Sequence, residues 1–209
     1  MTDKALDKNP YKNMIAITNR HLVKGDFLAK IERVIKASPR AIILREKDLS
    51  HEEYEELLDK IVSLIISSGA NKKSDPMTLY IHSHIDMVAK YCFKYSGIGL
   101  HLPYHVLVEK SAEILDMKNQ NKISISVSCH SIDEVSKASG LHADQVILGN
   151  IFETDCKKGL PGKGLKFLEE AVLSTTIPVY GIGGITEDNL PLLLERGGAG
   201  GCMMSGFMK

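Results

Sequence analysis

Residues 149–164, GNIFETDCKKGLPGKG, bring glycines, lysines and one cysteine into a single segment. That mixture suits an anion held by backbone N–H groups and lysine side chains, a metal ion, or a thiol reaction. Cys156, flanked by Lys157 and Lys158, has neither a helix start nor a base beside it in sequence. A second glycine group, Gly181, Gly183 and Gly184 in GIGG, is followed later in the chain by Ser205–Gly206. Both can present backbone N–H groups to a phosphate, or can be tight turns that need positive φ. In ILREK, Arg45 and Lys47 share one face if the segment is extended, because strand side chains alternate. Two cations on one face suit a phosphate or carboxylate, or an ion pair with Glu53 or another acid. His130, in SVSCHS, can take up and return a proton near neutral pH, or can simply cap a helix. His82 and His84 share a strand face and offer half a metal site. No acid stands at a matching strand end and no HxxxH or HExxH spacing occurs, so no metal ligand set is expected.

Residues so scattered need a frame to bring them together. Strand-like runs and amphipathic helical runs alternate along the 209 residues. Strands are predicted at 13–19 and 41–47, and then in MTLYIHS, GIGLHLP, KISISV, QVILGN, PVYGIGG and GGCMMS. Helices are predicted between them: 26–38, the run after Ser50, HIDMVAKYC, HVLVEKSAEILDMK, SIDEVSKAS, LKFLEEAVLS and a segment starting at Asp188. Ser50 with Glu53 has the spacing of a capping box, and Gly69 is the expected stop.

Eight strands separated by helices point to a parallel sheet, and at this chain length to a small (β/α)8 TIM barrel. An open doubly wound sheet is the rival, but GxGxxG is missing after the first strand. Residues 1–12 read as an N-terminal extension and 13–209 as one barrel domain. The chain stops at SGFMK, so the barrel is expected to lack its final helix. The extension, a second subunit or solvent then faces that wall, and a homo-oligomer is expected. In such barrels chemistry sits at the C-terminal strand ends, where every candidate named above falls.

Composition excludes other classes. The 26 basic and 26 acidic residues balance, which gives no footprint for nucleic acid or an anionic membrane. No apolar run reaches spanning length, and the polar start lacks a secretory signal. The 4 cysteines form no CxxC pair, which fits a reducing, cytoplasmic setting.

The motifs REK, SxCHS, GNIFETDCKKG, IPVYGIGGIT and MMSG together resemble the thiamine phosphate synthase/TenI family from Ile15 to Gly206. The resemblance implies the small barrel and a phosphorylated thiazole as ligand. Its synthase branch joins a pyrimidine pyrophosphate to thiazole phosphate, using Mg²⁺ on aspartates that end strands three and four. Ser83 and Val106 stand at those positions here, and Pro103–Tyr104 replaces a glutamine-rich turn. The tautomerase branch lacks the same acids and carries ETDCKKG and a proline after HL, as this chain does. The resemblance therefore implies an isomerase that aromatises a carboxy-thiazole phosphate tautomer through His130, with no metal cofactor. Arg45, Lys47, Ser128, Lys157, Gly183, Gly184, Ser205 and Gly206 would bind substrate and phosphate. The alternatives are a Mg²⁺-dependent synthase and a barrel that binds thiazole phosphate without turnover. Ile43, in place of a family glutamine, and His82, in place of an asparagine, depart from the pattern.

Overall fold

Strand β1 (Met14–Ile17), β2 (Ala41–Leu44), β3 (Thr78–His82) and β4 (Ile98–Pro103) form half of a closed parallel barrel. Strands β5 (Ser124–Cys129), β6 (Gln145–Gly149), β7 (Val179–Ile182) and β8 (Gly200–Met203) complete it, with β8 pairing back onto β1. The computed structural model describes residues 9–70, 77–154 and 159–209. β1, β2, β6 and β8 are buried along their whole length. That is why they read as unbroken apolar runs and not as alternating ones: parallel strands are covered on both faces.

Helices fill the crossovers: α1 (Phe27–Ala37), α2 (His51–Ser67), α3 (Ile85–Tyr91), α6 (Ile132–Ala138), α7 (Gly164–Leu173) and α8 (Leu190–Glu195). Their starts follow the sequence. Asp26 caps α1 through Ala29 N, Ser131 caps α6 through Glu134 N, and Ser50 and Glu53 make the full capping box on α2. The helix expected after β4 is two helices, α4 (Tyr104–Glu109) and α5 (Ser111–Asn121), broken at Lys110. No glycine or proline marks that break in the sequence.

The end of the chain corrects one expectation. A final helix is present, reduced to one turn, α9 (Ser205–Met208). Phe207 and Met208 are buried, Tyr11 packs its ring on Phe207 at 5.2 Å, and Lys30 Nζ donates to the Lys209 carbonyl at 2.6 Å. Asn9 Nδ2 also donates to the Ser38 carbonyl at 2.8 Å. The described part of the N-terminal extension thus packs beside α9 at this wall.

The barrel lumen is divided chemically. Ile15, Ile17, Ala41, Ile43, Ile147 and Cys202 pack inside it as an apolar cluster separate from the larger core between strands and helices. Across the lumen, β3, β4 and β5 turn polar side chains inward. Period-two alternation continues Ala41 and Ile43 into Arg45, and puts His82, His101, Ser126 and Ser128 on the same inner surface. Gly99 is required here: a Cβ would lie 2.6 Å from the Tyr80 ring, which crosses the lumen to reach Ser124 Oγ at 2.9 Å.

Candidate active site

The three residues of REK have different fates because alternation points them apart. Glu46 is 4% exposed and lies at the base of the mouth, among the residues that line its cleft. Both its oxygens accept from Arg20 N at 3.1 Å, and one lies 3.4 Å from Arg20 Nη1. Arg20 in turn grips Asp48 with two 2.6 Å bonds, and His21 Nε2 adds a third contact at 2.9 Å. This bidentate pair holds the Asp48 carboxyl far below the usual carboxylate range. Arg45 is half-buried and Lys47 exposed. Neither has an acidic partner among the described residues. Glu53, the acid considered for them, is occupied by its capping box.

His101 is the site residue to which the sequence assigned no role. Its ring is 3% exposed, with Nδ1 2.9 Å from Ser126 Oγ and Nε2 2.8 Å from Ser128 Oγ. Burial, and then the charges of His82 and Arg45, push its pKa down to about 3. Gln145 Nε2 donates to Ser126 Oγ at 3.2 Å. The buried Ser126 hydroxyl must place its own hydrogen, and among the described residues His101 Nδ1 is the acceptor in reach. His101 is therefore neutral, with Nδ1 accepting and Nε2–H donating to Ser128 Oγ. This leaves the Ser128 hydroxyl hydrogen free for a ligand. His82, with its ring centroid 5.6 Å from that of His101, is likewise pushed down to about 4, by burial first and by Arg45 and Lys47 next.

A cleft of about 400 Å³ opens at this mouth. Lys47, Tyr54, His82, His84, His105 and Val106 are among its lining residues. Tyr54, buried on α2, braces its floor: the hydroxyl donates to the Leu44 carbonyl at 2.7 Å and accepts from His82 N at 3.1 Å. His84, expected to have no acid near it, lies with His51 and Asp86 in a group whose donor atoms are within 4.8 Å of one another.

On the opposite side, Gly183 (φ 98°) and Gly184 (φ 63°) follow β7. Their conformation serves a close approach to the loop after β6. A Cβ on Gly184 would lie 2.4 Å from the Glu153 carbonyl oxygen, and one on Gly183 would lie 2.6 Å from Asn150 Cβ. Phe152 N donates to the Gly183 carbonyl at 3.0 Å, and Asn189 Nδ2 to that of Gly184 at 2.8 Å. Their own N–H groups donate to nothing among the described residues. Ser205 and Gly206 open α9. The base of the loop after β6 is tied by Lys163 N to the Asn150 carbonyl at 3.0 Å and Gly164 N to that of Ile151 at 2.9 Å. Lys157 and Cys156 lie outside the described residues. Burial raises the thiols of Cys129, to about 12, and of Cys202, so neither is a ready thiolate.

His130 follows β5 directly and is exposed. Its backbone N–H donates to Glu134 Oε2 at 2.5 Å and its carbonyl accepts from Lys163 Nζ, while its imidazole has no hydrogen-bond partner among the described residues. It does not line the cleft.

The positions where the resemblance puts Mg²⁺ ligands do not fit that ion. Val106 offers no side-chain oxygen, Ser83 (φ 67°) offers a neutral hydroxyl, and the nearby Glu46 carboxylate is engaged by Arg20. A hard dication needs several oxygen donors, with carboxylates foremost.

Known proteins share this fold and sequence pattern. The family profile described as thiamine monophosphate synthase matches residues 14–207. A thiamine-phosphate synthase of Persephonella marina is 31% identical over 188 residues, 88% of this chain and 82% of that one. One from Clostridium acetobutylicum is 29% identical over 203 residues, covering 96% and 89%. A solved thiamine phosphate pyrophosphorylase from Pyrococcus furiosus superposes with a TM-score of 0.71 at 25% identity, covering 94% of this chain and 87% of that one. These relatives overturn the expected isomerase, because they are named for a transferase. The acid–base role expected of His130 was tied to the isomerase reaction; the residue itself stands exposed just after β5, outside the cleft lining. The match is to the family as a whole and does not single out the tautomerase branch. With the barrel, the lumen and the REK and GIGG loops in place, the chain belongs to the thiamine monophosphate synthase (TMP-TENI) family.

Proposed function

We propose that the chain is a transferase of the thiamine-phosphate synthase kind, joining a pyrimidine pyrophosphate to a phosphorylated thiazole, with pyrophosphate leaving. The observation that carries this reading is the pair Arg45 and Lys47, on one face of the barrel mouth with no acidic partner among the described residues. The departing pyrophosphate accumulates negative charge, and cations fixed beforehand at that place lower the barrier. The thiazole phosphate is assigned to the undonated N–H groups of Gly183 and Gly184 and to the start of α9 at Ser205 and Gly206. Ser128, oriented by His101, donates its hydroxyl hydrogen to a ligand atom in the mouth. Lys157 belongs to the assignment by family resemblance. No step is routed through Mg²⁺, because Ser83 and Val106 do not supply its donors. The cytoplasm is the compartment this role assigns; among the described residues no helix is long and apolar enough to cross a membrane.

The loss of carboxylates at Ser83 and Val106 favours a second reading, a barrel that binds thiazole phosphate without turnover. One experiment separates the two. The protein is incubated with both substrates, with and without Mg²⁺, and thiamine phosphate is measured beside thiazole phosphate binding by calorimetry. Product formation above the protein-free rate supports the transferase. Binding without product supports the second reading, and no binding defeats both.

A further inference from the structure

His51 is the first residue of α2, His84 immediately precedes α3, and Asp86 lies in the first turn of α3. Their donor atoms, one from each side chain, lie within 4.8 Å of one another, and His51 Nε2 is 2.6 Å from Asp86 Oδ2. Independent devices hold the two segments in place. The capping box at Ser50 and Glu53 fixes the start of α2, and Ser83 N donates to the His101 carbonyl at 3.0 Å just before His84. The His84 ring rests on Tyr54, centroid to centroid 4.1 Å, and Tyr54 is itself locked by two hydrogen bonds. An ion pair between His51 and Asp86 accounts for two of the three groups. Both are about half exposed, where such a pair contributes little, and it leaves the convergence of His84 unexplained.

We propose that His51, His84 and Asp86 bind one divalent transition-metal ion of the zinc class at the rim of the cleft. Two imidazoles and one carboxylate suit zinc, cobalt or nickel, whereas magnesium and calcium require an oxygen shell. Ligands at about 2.0–2.1 Å in a tetrahedron sit roughly 3.3 Å from one another. One pair is 2.6 Å apart and no pair exceeds 4.8 Å, so small rotations of the exposed His51 and Asp86 side chains relative to the anchored His84 close the set. Three protein donors leave a coordination position open, the arrangement of sites that take water or a substrate atom. His84 also lines the cleft beside Lys47, so that position faces the space assigned to anions. The ion would use nitrogen donors at the rim of the same cleft in which Ser83 and Val106 supply no carboxylate. The site does not depend on the transferase reading, since the metal binds without substrate.

The test uses the full chain, stripped of metal and titrated with Zn²⁺ by calorimetry and with Co²⁺ by visible absorption. One saturating equivalent is expected, with the Co²⁺ spectrum of a four- or five-coordinate site. His84→Ala and Asp86→Asn should each weaken binding at least tenfold, while His142→Ala, remote and exposed, should not. Far-UV circular dichroism checks folding, and the exposed His51→Gln substitutes for any variant that fails it. The absence of saturable binding at micromolar metal overturns the site. So does unchanged affinity in the folded variants, or displacement of Zn²⁺ by excess Mg²⁺. Because no substrate enters the titration, its failure leaves the transferase assay untouched.

Discussion

Lowering the pH should destabilise this barrel through one buried imidazole, and His101→Gln isolates the effect. His101 is held neutral by burial first, by the charge of Arg45, and by the need of the Ser126 hydroxyl for an acceptor at Nδ1. Its folded-state pKa of about 3 lies below the ordinary histidine value of 6.5. Between those values the unfolded chain takes up a proton that the native chain refuses. Stability is therefore unaffected above the upper value and falls as the pH drops below it, by about 1.4 kcal/mol per pH unit. From pH 7.5 to 5.0 the unfolded imidazole gains roughly 2 kcal/mol from protonation and the native one almost nothing. Glutamine keeps an amide within reach of the two serines but does not titrate.

Urea unfolding of wild type and His101→Gln at both pH values measures the difference. Carboxylates and the other histidines titrate in both proteins, so their contributions cancel in the comparison, and wild type should lose about 2 kcal/mol more. Equal losses in the two proteins would refute a neutral, buried His101 and with it the assigned tautomer. The Ser128 hydroxyl would then no longer be free for a ligand.

Removing the mouth cations tests the anion assignment directly. Arg45→Ala should weaken inorganic pyrophosphate binding by roughly 10- to 100-fold at low salt, the loss of a charge-assisted hydrogen bond of about 1.5–3 kcal/mol. Lys47→Ala, at an exposed position, should do less, and calorimetry at two ionic strengths checks both. Gly184→Ala combines φ 63° with a Cβ placed 2.4 Å from the Glu153 carbonyl oxygen. It should lower stability by about 1–3 kcal/mol and weaken thiazole phosphate binding, read by chemical denaturation and by titration. A fully stable Gly184→Ala protein would contradict the contact between the loops after β6 and β7.

The barrel was legible because its signals are local. Apolar runs such as AIIL mark strands buried on both faces, and Ser50 with Glu53 marks a helix start whatever surrounds it. The break at Lys110 carries no glycine or proline, so its cause lies in packing and not in the residues themselves. The reduction of the last helix to α9 was half legible. The shortness of SGFMK was plain, but the partnership of Phe207 with Tyr11 joins opposite ends of the chain. At the site, REK and GIGG could be read because alternation and glycine content act over a few residues. His101 could not, since a lone histidine in an apolar strand gains meaning only when β5 sets two serines against its two nitrogens. The group of His51, His84 and Asp86 was hidden for the same reason, its members meeting only when the loops after β2 and β3 become neighbours.

The middle residue of REK decides whether the other two can hold an anion. Glu46 is nearly fully buried beside them, and without compensation its charge would oppose any pyrophosphate at Arg45 and Lys47. Arg20 compensates it, through its backbone N–H and through Nη1 at 3.4 Å. Arg20→Ala removes the guanidinium and leaves the carboxylate with the backbone bond alone. A like charge a few ångströms deeper in the mouth then weakens anion binding by the order of 1–2 kcal/mol, at the effective dielectric of a protein rim. Pyrophosphate affinity should fall about five- to thirtyfold, although Arg20 is assigned no contact with the anion. Arg20→Ala combined with Glu46→Gln should restore affinity, because the glutamine carries no charge to oppose the ligand. Calorimetric titration of the four proteins forms a double-mutant cycle whose interaction energy isolates this coupling. If the double variant binds as weakly as Arg20→Ala alone, then Arg20 acts by some route other than neutralising Glu46. The selective exposure of Arg45 and Lys47 to an anion would then need a different explanation.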